Sequence, residues 1–159
     1  MIIRRAELVD AESGAACHLA CWREAYASLV EPQGLAALTG DLEAQVELWR
    51  TVIANGNPPL VAVEGDVVVG FIAAGPDEEP GVGPAFQLRV LNVRRAYWGT
   101  GVAQRLHDEA VADRGAYVWV LRDNPRARGF YARNGFVPDG AMKIDPDFGA
   151  LVIRMVREI

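Results

Sequence analysis

The sequence predicts an α/β fold in which helices cover a mixed β-sheet, in the order β-α-α-β-β-β-α-β-α-β. Short runs rich in valine, such as Val67–Ala74 and Ala116–Leu121, alternate with longer stretches whose apolar residues recur every three or four positions. Clusters of glycine and proline separate the two kinds of segment. A length of 159 residues suits one domain, residues 1–159, around one sizeable core, and 51% hydrophobic with 23% charged residues is ordinary for a globular chain.

Ile2–Glu7 reads as the first strand, after which Asp10 or Ser13 can cap a helix with the stripe Ala15, Leu19, Trp22, Tyr26 and Leu29. Glu31-Pro32-Gln33-Gly34 breaks it. A second helical region carries Leu35, Leu38, Leu42, Val46, Trp49 and Ile53 on one face, interrupted at Thr39-Gly40-Asp41, and Asn55-Gly56-Asn57-Pro58-Pro59 stops it. Leu60–Val63 and Val67–Ala74, joined by Glu64-Gly65-Asp66, have the spacing of a hairpin. Gly75–Pro84, with its prolines and consecutive acids, reads as a loop, and Phe86–Val93 as a strand. Gly99–Arg114 reads as a helix with Val102, Ala103, Leu106 and Ala110 inward and Gly115 past its end. Ala116–Leu121 follows as a strand, Pro125–Asn134 as a helix and Ala150–Arg157 as the last strand. The strands after the loop are joined by helices, which predicts that half of the sheet to be parallel.

Charge and composition exclude several function classes. A net charge of −5 is wrong for a broad nucleic-acid surface. No stretch reaches the roughly 18 unbroken apolar residues of a membrane-spanning helix. Met1-Ile2-Ile3-Arg4-Arg5 reads as strand rather than secretory signal, so the expected location is cytoplasmic. Cys17 and Cys21 with His18 lack the second ligand pair that zinc needs, so neither a metal nor a disulfide is expected. His18 and His107 are expected to be solvated helix residues.

The informative segment runs from Leu91-Asn92-Val93 through Trp98-Gly99-Thr100-Gly101-Val102-Ala103-Gln104. A strand ends at Val93, and glycines at 99 and 101 open a helix. Glycines let backbone N–H groups approach an anion closely, and the helix N-terminus adds partial positive charge. That is chemistry for a pyrophosphate. A dinucleotide fingerprint would need a small residue at 104 and an acid about twenty residues on, whereas the chain has Gln104 and Val118-Trp119-Val120. The Gly-Lys-Ser/Thr of a P-loop is absent. Two glycines alone leave a plain glycine-rich N-cap as an equal reading.

A second segment, Asn124-Pro125-Arg126-Ala127 followed by Phe130-Tyr131 and Asn134-Gly135-Phe136, places Asn124 at a strand end before Pro125 at a first helical position. The two segments together resemble the GCN5-related N-acetyltransferase (GNAT) family, sharply over residues 87–104 and 119–136 and through element order elsewhere. The family motif Gln/Arg-x-x-Gly-x-Gly/Ala is matched by Trp98-Gly99-Thr100-Gly101-Val102-Ala103, with Trp98 departing from the usual first residue.

The resemblance implies a mixed, mostly antiparallel sheet of six to seven strands flanked by about four helices. It implies acetyl-CoA as cosubstrate without a metal. Leu91, Asn92 and Val93 would hold the pantetheine arm by main-chain bonds, as an extended peptide adds to a sheet. Backbone N–H groups of Gly99, Thr100, Gly101, Val102, Ala103 and Gln104 would take the pyrophosphate, and Asn124 would touch the cofactor. Tyr131 would sit near the sulfur as general acid, while an amine attacks the thioester directly. One or two of Arg122, Arg126, Arg128 and Arg133 would meet phosphates. Acceptor contacts would come from the first two helices and neighbouring loops, with Trp22, Tyr26 and Glu31 as candidates, although Trp22 and Tyr26 also suit core packing.

The resemblance leaves the base open. The positions where many members carry a glutamate hold Gln87 and Trp119, so deprotonation would fall to water or to a carboxylate from the first helices or the Asp77-Glu78-Glu79 loop. Two functions follow. One is an N-acetyltransferase acting on a primary amine of a small molecule or a peptide N-terminus. The other is an acyl-CoA-binding module without catalysis. An edge strand such as the last one could pair in a homodimer.

Overall fold

Glu64 and Val67 face each other across a two-residue turn in which Gly65 takes φ 62°, the conformation a tight hairpin turn requires. That turn joins β2 (Leu60–Glu64) to β3 (Val67–Pro76), and the hairpin is the centre of one half of the sheet. The computed structural model describes residues 1–159. β1 (Ile2–Arg5) adds to the outer side of β2, and β4 (Phe86–Val93) to the inner side of β3, all antiparallel. β5 (Ala116–Leu121), β6 (Val137–Asp145) and β7 (Ala150–Arg157) complete seven strands in the order β1-β2-β3-β4-β5-β7-β6.

The fold class agrees with the expectation, but the expected parallel half does not form. Only β4 and β5 run parallel. The chain inserts β6 after the last helix, reverses, and threads β7 back between β5 and β6, antiparallel to both. The last strand is therefore interior, and β6 is the edge, correcting the expectation that the last strand is free to pair.

α1 (Ala11–Tyr26) and α3 (Leu42–Ala54) cover one face of the sheet, with α2 (Pro32–Thr39) between them in sequence. Asp41 caps α3 by accepting the Ala44 N–H at 2.9 Å, where the sequence placed the restart. Asp10 stands at the N-cap of α1 as expected, but neither its side chain nor that of Ser13 makes a capping bond. Asp10 takes the Arg4 guanidinium at 2.7 and 3.0 Å and the Glu7 N–H at 2.7 Å. Ser13 Oγ accepts the Val68 N–H beside the register shift in β2–β3. Gly14 is needed for close approach, since a Cβ there would lie 2.2 Å from the Trp49 ring. Ala15, Cys17, Cys21, Trp49 and Phe71 belong to the apolar cluster of this face.

α4 (Val102–Ala110) and α5 (Pro125–Arg133) cover the other face, over a cluster that includes Leu88, Leu106, Val118, Tyr131 and Phe136. α4 ends four residues before the expected Arg114, because Ala112 adopts φ 50° and cannot continue a right-handed helix. His107 is not solvated. It is 1% exposed against Phe130 and Phe136, and burial lowers its pKa.

Candidate functional site

β4 pairs with β3 along its length but with β5 at one position, Gln87 opposite Tyr117. Leu88 and Val90 face consecutive residues of β3, which leaves Arg89 as the extra residue of a bulge. Beyond the bulge Leu91, Asn92 and Val93 have strand partners on β3 only. Two cavities open where the β4–β5 ladder stops, of about 300 and 450 Å³. Leu91, Asn92, Arg126 and Tyr131 line both, so they stand where the cavities meet.

The first cavity runs from β4 to the glycine turn. Gly99 and Gly101 take φ 75° and 89°, and a Cβ at either would meet nothing within 4 Å. Their backbone conformation demands glycine, and the space over the turn is open. Gly101 stands at the N-cap of α4, whose first N–H groups have no helical partner. Leu91, Asn92, Val93, Gly99, Gly101, Ala103 and Gln104 line this cavity, as does Tyr131. Thr100 is exposed and turns its hydroxyl to the Tyr97 carbonyl, while Val102 is buried in the core.

The turn is anchored from behind. Glu24 on α1 takes Nε and Nη2 of Arg94 on one oxygen, at 3.0 and 2.9 Å, and the Arg95 N–H on the other at 2.7 Å. Burial pushes the Glu24 carboxyl up, but the bonds from Arg94 and Arg95 outweigh it and hold its pKa below the ordinary value. Trp98, the departure from the family motif, donates its indole N–H to the Val93 carbonyl at 2.8 Å. The Arg126 guanidinium lies 3.5 Å from its ring centroid. Arg126 and Arg133 reach the first cavity, whereas Arg122 pairs with Asp123 and Arg128 donates to the Arg122 carbonyl.

Tyr131 is 6% exposed, and desolvation pushes its pKa above the ordinary phenol value, so it stays protonated. Asn92 is 8% exposed and its side-chain Nδ2 has no hydrogen-bond partner. The sequence singled out Asn92 for its main chain; the orphaned amide was not foreseen. Asn124 caps α5 by accepting the Ala127 N–H at 3.2 Å and lines the second cavity, not the first.

Trp22 and Tyr26 line the second cavity with Phe148 against both, at centroid distances of 5.6 and 5.0 Å. Glu31, at the N-cap of α2, lines neither cavity. Gln87 and Trp119 line the second cavity as well. The acidic loop does not reach it: Glu79 takes the Trp119 indole N–H at 2.9 Å and lies 3.4 Å from Arg154, and Asp77 takes the Tyr117 hydroxyl at 2.7 Å. Asp145 supplies the carboxylate on this wall, with Arg89 and Lys143 also in the lining; Lys143 and Asp145 come from β6, which the sequence did not single out, and Arg89 from the strand that it did.

His18 also faces the second cavity, where the sequence expected solvent. Its Nδ1 receives the Trp49 indole N–H at 3.2 Å and the Gln45 side-chain amide at 2.8 Å. An indole only donates, so Nδ1 is the acceptor and the ring proton sits on Nε2. Burial beside Trp22, Trp49 and Phe71 drops its pKa to about 4, which keeps the ring neutral at ordinary pH.

The comparisons with known proteins agree with this fold. The chain is 27% identical over 150 residues to a probable N-acetyltransferase of Mycobacterium tuberculosis, an alignment covering 87% of this chain and 80% of that one. Its fold matches the PaiA N-acetyltransferase of Thermoplasma acidophilum, solved in complex with coenzyme A, with TM-score 0.77 at 18% identity over 99% of this chain and 98% of the other. It also matches a ribosomal-protein-alanine N-acetyltransferase from Brucella melitensis, with TM-score 0.73 at 20% identity over the whole of both chains. The model of the acetyltransferase (GNAT) family spans residues 22–136, from the helix that carries Glu24 to the end of the Asn124–Phe136 segment, and the chain belongs to that family.

Proposed function

We propose that the protein transfers an acetyl group from acetyl-CoA to a primary amine of a small molecule, by direct attack within a ternary complex. The observation that carries this reading is the junction at Asn92. There the open glycine turn, a stretch of β4 without a β5 partner and a buried unpartnered amide converge.

The residues fit the cosubstrate. The N–H groups at the start of α4 suit a pyrophosphate, and Arg126 and Arg133 add positive charge around it. The β5-facing side of Leu91–Val93 suits an extended amide-bearing arm. Acetyl-CoA brings an activated thioester with a thiolate leaving group of pKa about 8.5. Asn92 Nδ2 is a buried donor without a partner, suited to a carbonyl whose oxygen gains charge during attack. Tyr131, kept protonated by burial, donates a hydrogen bond toward the sulfur rather than a full proton, since a phenol is a weaker acid than the thiol it would serve.

The amine binds in the second cavity. An alkyl amine of pKa about 10.4 must lose a proton before attack, at a cost of roughly 4 kcal/mol at neutral pH. His18 cannot take that proton, because Nδ1 already holds two donors and Nε2 carries a hydrogen. Asp145 draws the ammonium, and the proton leaves from there through water.

Thiol release from acetyl-CoA by the purified protein, over a panel of polyamines, amino acids, aminoglycosides and short peptides, tests this reading. Amine-dependent release above background hydrolysis is expected. Silence across the panel, with acetyl-CoA still bound in calorimetry, would make the protein a binding module.

A further inference from the structure

The second cavity carries charge that a simple amine would not need. Arg89, Lys143 and Arg126 line it against one carboxylate, Asp145. None of the three cations has a carboxylate oxygen within 4.0 Å. Arg126 stands at the junction with the first cavity, but Arg89 and Lys143 line the second alone. Arg89 donates to the Pro76 carbonyl at 3.0 Å, and Lys143 Nζ lies 4.2 Å from the Trp119 ring centroid. The β4 bulge puts Arg89 in this wall, and the strand that sequence reading missed brings Lys143. Between them the walls are aromatic: Trp22, Trp119 and Phe148.

Arg89 and Lys143 stand exposed in the cleft wall with no carboxylate partner of their own, and their guanidinium and ammonium N–H donors suit an incoming anion. A polyamine would meet repulsion from the same groups. Building on the acetyl-transfer reading, we infer that the acceptor is an amine that also bears a carboxylate and a large apolar or aromatic body, the carboxylate lying toward Arg89 and Lys143 and the body between Trp22, Trp119 and Phe148. The Nε2 hydrogen of His18 adds a neutral donor to the same wall, fixed in place by Trp49 and Gln45. A free amino acid is the simplest molecule of that class, and a cavity of about 450 Å³ holds one.

The experiment compares phenylalanine, phenylalanine amide and phenethylamine as acceptors in the thiol-release assay. A carboxamide makes the neighbouring amine less basic, so chemistry alone would favour the amide. Recognition of the carboxylate predicts the opposite, a kcat/KM for phenylalanine about tenfold or more above both others. Arg89→Ala and, separately, Lys143→Met should shrink that preference by about tenfold, through KM for the amino acid, with KM for acetyl-CoA and thermal unfolding unmoved. The Lys143 variant guards against a folding effect, since Lys143 sits exposed on an edge strand.

Equal or better turnover of the amide or of phenethylamine would overturn the inference and leave acetyl transfer standing. Should the amine panel yield an acceptor while none of these three is acetylated, the inference falls alone; should the panel and these three all stay silent while acetyl-CoA binds, the transfer reading falls. Calorimetry on the coenzyme A-loaded protein then decides the inference by itself. Tighter binding of N-acetylphenylalanine than of its amide keeps it, and equal binding overturns it.

Discussion

Glu24 on the first helix binds the Arg94–Arg95 segment that leads into the glycine turn. One carboxylate oxygen receives two guanidinium nitrogens of Arg94, and the other receives the Arg95 backbone N–H at 2.7 Å. The bond spans 71 residues of sequence. It sets where the turn begins relative to α1, and α1 also carries Trp22 and Tyr26 into the second cavity. One ion pair thus holds both cavities to a common frame.

Removing that frame should loosen cosubstrate binding without touching a residue of the turn. Glu24→Ala is expected to raise the acetyl-CoA Kd by about tenfold, the cost of leaving a part-buried guanidinium and a backbone N–H unpaired. Calorimetry reads it. An unchanged Kd would show that the turn holds its shape unaided.

The turn itself tolerates less. Gly101 sits at φ 89°, and a glutamate there would be strained as well as repelled by phosphate. Gly101→Glu should abolish acetyl-CoA binding while the protein stays folded by circular dichroism. Wild-type affinity in this variant would move the phosphate site elsewhere.

Tyr131→Phe removes a hydrogen bond and leaves the packing intact. With the phenol pushed further from acidity by burial, the expected loss is roughly 5- to 30-fold in kcat, with measurable turnover remaining. Complete loss, with folding and acetyl-CoA affinity unchanged, would assign Tyr131 an obligatory proton transfer.

His18 ties stability to pH. Its pKa is about 4 in the folded chain against 6.5 ordinarily, so between those values the unfolded chain binds the extra proton. Stability is therefore full above pH 6.5 and falls as pH drops toward 4, by an order of about 3 kcal/mol in all. His18→Asn keeps an acceptor near Nδ1 and removes the titration. Urea melts at a series of pH values should show that slope in the parent and a shallower one in the variant. Equal slopes would contradict the burial of a neutral ring.

Gly14→Ala places a methyl where the Trp49 ring now packs, 2.2 Å away before relaxation. The helix backbone cannot yield easily, so the indole must move and release His18. A loss of about 1–3 kcal/mol in stability is expected from chemical denaturation. Parent-like stability would mean that Trp49 repacks freely.

Element order was legible because periodicity and glycine–proline punctuation report burial on one face. The glycine turn was legible because positive φ selects glycine. β6 was not, since an edge strand with Pro138, Asp139, Gly140 and Lys143 is mostly exposed and shows no alternation. Missing it hid the reversal that makes β7 antiparallel and interior, and it hid Lys143 and Asp145. The β4 bulge was equally silent, because one extra residue in a ladder leaves no compositional mark; Arg89 entered the second cavity unannounced. Helical spacing alone placed His18 beside the core stripe. Only its partners, Trp49 and Gln45 from another helix, explain why it is neutral and facing a cavity.

The most direct test of the account is the stoichiometry of thiol released to amine acetylated, measured with acetyl-CoA and the best acceptor, for the parent and Gly101→Glu. The account predicts one thiol for each acetylated amine in the parent and neither product above background in the variant. Thiol release without acetylated amine, or equal release from both proteins, would contradict acetyl transfer at the junction of the two cavities.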